Sequence, residues 1–169
     1  MIMYAPDNWR KKSLGMTGTR NGMNKFQAIK AFNLIKFFDP KELHHGAAIG
    51  ADKQCHDIAT VLKIPSIAHR PTKTDYMAQC LGAQNRPAKP YLVRDRDIVT
   101  ESDLMLSFPK EEWNGYNKGG TAYTTKYALN NKVPIIIVTP TKLLWFNFDN
   151  EDEDMLRSRD YLLDLLAEF

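Results

Sequence analysis

Apolar runs of four to seven residues alternate along the chain with stretches of helical period. Residues 13–17 carry a short, weak strand signal that runs into the turn Gly18-Thr19-Arg20-Asn21-Gly22. Residues 23–38 predict a helix. Ala28, Ile29, Phe32 and Ile35 recur on one side, while Lys25, Gln27, Lys30, Asn33 and Lys36 are polar. Asp39-Pro40 ends it, because a residue before proline is pushed out of helical geometry. Residues 43–49, LHHGAAI, predict a second strand, and Gly50-Ala51-Asp52 starts a helix with Ala51, Cys55, Ile58, Ala59 and Leu62 as its apolar stripe. Residues 65–69 predict a third strand. Residues 70–90 are polar, hold three prolines and show no period, so they predict a long loop with one helical turn. A short helix over 95–102 precedes a continuous apolar strand over 104–108, the pattern of a strand buried on both faces. A polar loop over 109–120 leads to a helix over 121–131, with Thr121 as its N-cap. Residues 133–139, VPIIIVT, form the strongest strand signal, and the β-branched run predicts a central place in the sheet. Asn150 and the acidic residues 151–154 predict the start of a last helix, over 150–169, with Met155, Leu162, Leu165, Leu166 and Phe169 on one face.

Strands that alternate with helices predict an α/β fold with a mostly parallel sheet of about five strands and helices on both faces. The length of 169 residues suits a single domain over 1–169, with its core in about 14–140. Hydrophobic residues at 43% and charged residues at 25% are an ordinary globular balance, which excludes a disordered chain. The net charge of +3 is too small to identify a nucleic-acid binder. No apolar run is long enough to span a bilayer, and the N-terminus has no secretory pattern, so a cytoplasmic protein without membrane contact is expected. Cys55 and Cys80 stand in no metal or redox spacing, and no His/Cys/Asp/Glu group has zinc spacing. Neither a metal nor a cofactor is expected.

In open parallel sheets ligands bind beyond the carboxyl ends of the strands. After the first strand, Gly18, Thr19, Arg20 and Asn21 combine a tight turn with a guanidinium that suits phosphate. After the second, Gly46, Gly50 and Asp52 open a helix, and Asp52 would take a ribose hydroxyl or cap that helix. His44 and His45 precede this turn, and only one of the two can face a site. His56 flanks the apolar stripe and suits packing. Arg94 and Arg96 interleave with aspartates, as on a solvated face, with one arginine on a phosphate as the sharper alternative. After the fourth strand, Gly119, Gly120 and Thr121 open another helix. Trp113 and Tyr116 would stack on a base or anchor the loop, and Tyr123 and Tyr127 suit packing. Three glycine-containing turns together describe a crevice of amides and helix N-termini suited to phosphates.

The series TGTRNGM, HHGAAIGAD, RDRDIV and GGTAYTTKYA before VPIIIVTP resembles the SLOG superfamily over about residues 14–140. The resemblance implies a Rossmann-like three-layer sandwich and a nucleotide-derived ligand. HGAAIGADKQCHDIATVL is similar to the pattern of DNA-processing A proteins, with Gly46, Gly50, Asp52 and His56 in matching places. Arg94 is the best match to an arginine of lonely-guy-type phosphoribohydrolases. Their motif PGGxGTxxE is kept only in part by Lys118-Gly119-Gly120-Thr121, and Thr124 stands where they carry the glutamate that helps cleave the N-glycosidic bond. Threonine cannot act as a general acid there; Glu111, Glu112, Asp52 and Asp95 are the other carboxylates for such a role.

The resemblance implies a binding protein that senses or sequesters a nucleotide or ADP-ribose-derived molecule in a phosphate-binding crevice. The sites implied are Gly18, Thr19, Arg20, Asn21, His45, Gly46, Gly50, Asp52, Arg94, Gly119, Gly120 and Thr121. The alternatives are a hydrolase or transferase at an N-glycosidic bond of nucleotides, including the deoxyribosyltransferase type, and a single-stranded DNA binder. A homodimer is expected through the last helix.

Overall fold

The computed structural model describes residues 4–148 together with Glu153 and Arg157, so the helix expected over 150–169 lies outside the described residues. The elements are β1 (Ser13–Gly18), α1 (Lys25–Phe38), β2 (Glu42–His45), α2 (Ala51–Val61), β3 (Ser66–Pro71), β4 (Gln84–Lys89), α3 (Tyr91–Thr100), β5 (Leu104–Phe108), α4 (Gly120–Asn130), β6 (Ile135–Val138) and β7 (Leu143–Phe146). They form one seven-stranded sheet in the order β4-β3-β2-β1-β5-β6-β7. All pairings are parallel except the last, between β6 and β7.

Alternation along the central strands divides the core in two. Leu14, Met16, Leu104, Leu106, Phe108, Ile136 and Val138 pack on one side with Leu34 and Ile35 of α1 and Ala51, Cys55 and Ala59 of α2. Met105, Ile135 and Ile137 pack on the other with Ile98 and Val99 of α3 and Ala128 of α4. Helices therefore cover both faces, the arrangement that makes central strands read as unbroken apolar runs. Truncating a fully buried side chain such as Leu106 to alanine costs ~2–5 kcal/mol.

Most predicted elements are present, with instructive departures. The sheet has seven strands rather than about five. The expected loop over 70–90 contains β4, an edge strand whose residues are mostly exposed. Its sequence QNRPAK buries neither face, so no apolar alternation marks it, and Pro87 is tolerated because an edge strand needs only half its hydrogen bonds. β2 stops at His45, four residues before the apolar run ends. α3 begins at Tyr91, ahead of the expected residue 95, directly after Pro90. Thr121 lies inside α4, whose N-cap is Gly119. The antiparallel β7 adds an outer strand next to β6.

Candidate functional site

β1 lies between β2 and β5, and the chain leaves β1 and β5 toward opposite edges of the sheet. Connections that part in this way open a crevice at the carboxyl ends of the two strands. Here the crevice has a volume of about 940 Å³. The β1–α1 turn, the β2–α2 turn, the start of α3 and the β5–α4 loop line it.

The three helices that follow β1, β2 and β5 begin differently. α1 is closed by its own side chains: Asn24 accepts from the Gln27 amide, and the Gln27 side chain accepts from the Asn24 amide. Gln27 Nε2 also donates to the carbonyls of Pro109 (2.8 Å) and Val138 (2.9 Å), which fixes the ends of β5 and β6 beside this turn. At α2, the Ala51 amide donates to the Thr19 carbonyl. Asp52 does not cap the helix. Its Oδ2 accepts from the amides of Gly46 (3.0 Å) and Ala48 (3.1 Å), filling the turn with the protein's own oxygen. α4 begins at Gly119-Gly120 with no side-chain cap, and Gly119, Gly120 and Thr121 face the crevice.

Gly50 does not line the crevice. Its φ is +84°, and a Cβ there would lie 2.5 Å from the Thr19 and Arg20 carbonyl oxygens, so it lets α2 close against the β1–α1 turn. His45 is also absent from the lining. It is fully buried and its Nδ1 accepts from the Ala47 amide, while its ring meets His56 edge-on at 5.3 Å. Gly18, Thr19, Arg20, Asn21, Gly46, Asp52 and Arg94 do face the crevice.

Arg94 is buried rather than solvated. Nε donates to Asp95 Oδ1 at 2.6 Å, and Nη1 donates to the carbonyls of Gly46 and His69. A Cβ on Gly46 would collide with this guanidinium. Arg94 therefore joins α3 to the ends of β2 and β3 as well as forming crevice wall. Arg96 turns away and donates to the Tyr123 hydroxyl at 3.1 Å. Tyr123 and Tyr127 stack on each other. Arg20 is exposed, with its guanidinium over the Tyr76 ring at 4.2 Å and the Tyr91 ring at 5.4 Å. That pairing holds the cation at the mouth without using its hydrogen-bond donors.

Two carboxyls in the wall are perturbed. Burial raises Asp52 to about 6, against the opposing pull of Arg94. Burial also raises Asp95, again opposed by Arg94, and the Thr124 hydroxyl lies beside it. Trp113 packs into the α3–α4 core, which makes it the loop's anchor, whereas Tyr116 is 86% exposed on the rim. Tyr91 and Lys110 also line the crevice and carry no motif. The proline before Tyr91 was the available signal, since a proline commonly precedes or opens a helix.

No family model and no curated protein matches the chain. Solved structures do. A molybdenum cofactor binding protein from the phototrophic bacterium Rippkaea orientalis superposes with a TM-score of 0.61 at 18% identity, over 94% of this chain and 86% of that one. The molybdenum cofactor carrier protein of Chlamydomonas reinhardtii gives 0.57 at 18%, over 95% and 100%. DNA processing protein A from Helicobacter pylori, described for its single-stranded DNA binding mode, gives 0.58 at 14%, over 98% and 86%. Among the described residues no helix is long and apolar enough to cross a membrane. With these neighbours and this strand order, the chain has a Rossmann-like α/β fold with a mostly parallel sheet.

Proposed function

We propose that the crevice binds a nucleotide-derived small molecule through its phosphate, and that the protein senses or sequesters that molecule. The observation that carries this reading is the uncapped start of α4, opening on Gly119-Gly120 into the β1/β5 crevice with Arg20 at its mouth. Helix N-terminal amides attract anions through unpaired N–H groups and the helix dipole. Arg20 adds a planar fork for phosphate oxygens. Charge-assisted bonds of this kind contribute ~1.5–3 kcal/mol each, enough together for micromolar affinity after ordering costs. Asp52 and Asp95 offer acceptors for ribose hydroxyls, and Tyr116 offers a ring for the base.

Mass spectrometry of the small molecule that accompanies the purified protein tests this directly. Thermal shift with ADP-ribose, nucleoside monophosphates and molybdenum cofactor then ranks the ligands, since a ligand of the folded state raises apparent stability. No shift with any of them and no bound molecule would overturn the proposal.

A second reading is cleavage at an N-glycosidic bond, favoured by one observation. Asp95, with its raised pKa, stands next to Thr124, so α3 supplies a carboxyl beside the position where the phosphoribohydrolase motif has its glutamate. Incubation with nucleoside monophosphates followed by chromatography decides it: release of free base that Asp95→Asn abolishes supports cleavage, and intact nucleotide leaves binding alone. Single-stranded DNA is less well served, because Asp52, Asp95 and Glu111 share the crevice with its cations.

A further inference from the structure

His44 and His45 are adjacent on β2 and point to opposite faces, and neither faces the crevice. On the α3 side, His44 Nδ1 lies 2.9 Å from His69 Nε2 on β3. Glu101, the residue that ends α3, places Oε2 3.4 Å from His44 Nδ1 and 3.5 Å from His69 Nε2. Three ligand atoms each about 2.0–2.1 Å from a tetrahedral zinc ion would be about 3.3–3.4 Å apart. The observed triangle is close to that size. Both rings are 2% exposed, while Glu101 is 38% exposed and leaves an approach from solvent.

We propose that His44, His69 and Glu101 form a three-ligand site for a divalent first-row transition ion, with zinc as the reference ion and a fourth position open on the Glu101 side. The outer partners agree with this. Glu42 Oε2 stands 3.0 Å from His44 Nε2, near enough to become the carboxylate partner of a histidine that ligates through Nδ1, although the two form no hydrogen bond in the metal-free arrangement. Without metal, His44 Nδ1 and His69 Nε2 share one proton in a hydrogen bond. When the ion enters, the ring that carries this proton moves it to its other nitrogen, so both rings stay neutral and both facing nitrogens bind metal. Arg86, which holds Glu101 Oε2 at 3.2 Å, is on the edge strand and 37% exposed, so it can swing aside.

A second cluster, His45, His56 and Cys80, is less suited. His45 Nδ1 already accepts from the Ala47 amide, so moving the ring proton off Nε2 to free it for a metal would break that hydrogen bond.

The test is titration of the full-length, chelator-treated chain with Zn²⁺ and Co²⁺. One equivalent should bind and raise the unfolding temperature. The cobalt form should show visible ligand-field bands without thiolate-to-metal charge transfer. Glu101→Gln should weaken binding tenfold or more, Glu42→Gln roughly tenfold through His44, and His69→Gln should abolish it, while Cys80→Ser changes nothing. Absence of a stoichiometric site in the parent chain would overturn the proposal. So would a thiolate band lost in Cys80→Ser, or an affinity unchanged by Glu101→Gln, a surface change that does not depend on the fold surviving His69→Gln.

Discussion

The β2–α2 turn and the β5–α4 turn look alike in sequence, since each carries glycines and opens a helix. In the structure they do opposite things. Asp52 reaches back from α2 and takes the Gly46 and Ala48 amides, so the first turn is filled from within. The second has no acidic residue in its first helical turn and no side-chain cap, so the start of α4 is left to whatever enters the crevice. A glycine-rich turn thus becomes an anion site only when the protein does not satisfy it itself. Backbone N–H groups do not remain unpaired when buried, and a carboxylate six residues downstream of Gly46 is enough to close such a turn.

Breaking the filled turn should have the largest effect. Arg94→Ala removes the partner of Asp95 and the donor to the Gly46 and His69 carbonyls, and loss of one member of a buried pair costs ~3–5 kcal/mol. Urea unfolding measures it; a loss below about 1 kcal/mol would show that Arg94 is free to serve a ligand alone. Gly50→Ala forces a Cβ against two carbonyls at positive φ and should cost about 2–4 kcal/mol by the same measurement.

Asp52→Asn addresses the charge of the filled turn. Burial raises its carboxyl from 3.8 to about 6, so the folded state binds the proton more tightly than the unfolded chain. This contribution to stability is full below pH 3.8 and is lost as pH rises through about 6, a span of about 3 kcal/mol. His69, lowered to about 4 by burial, acts in the opposite sense: its contribution is present above 6.5 and lost as pH falls through 4. The difference between Asp52→Asn and the parent isolates the carboxyl. The variant should gain relative stability as pH rises from 4 to 7, and a pH-independent difference would refute the assignment.

Thr121→Asp converts the open turn into a filled one. An acid in the first turn of α4 should add ~0.3–1 kcal/mol of stability while competing with a bound phosphate. Calorimetry should show tenfold weaker nucleotide binding with an equal or higher melting temperature.

Legibility in the sequence followed burial. β5 was readable to the residue, because Leu104–Phe108 is buried on both faces and presents an unbroken apolar run. α1 was readable from its stripe and from Asp39-Pro40, and Asp39 does end it in a left-handed conformation. β4 was not, because QNRPAK lies at an edge where solvent imposes no pattern. LLWF, which forms β7, carries an apolar run but follows β6 so closely that no periodicity separates the two. The glycines and Arg20 of the crevice were legible as turn chemistry. The roles of Asp52, Arg94 and His45 were not, since each depends on which groups from other elements meet it in three dimensions. The same holds for His44, His69 and Glu101, which no sequence spacing relates.

Isothermal titration of the parent chain and Thr121→Asp with ADP-ribose and nucleoside monophosphates tests the central claim most directly. Saturable binding to the parent at one ligand per chain, weakened tenfold or more in a fully folded Thr121→Asp, is the predicted result. Equal affinity in the two proteins, or no binding to the parent, would contradict an anion site at the start of α4.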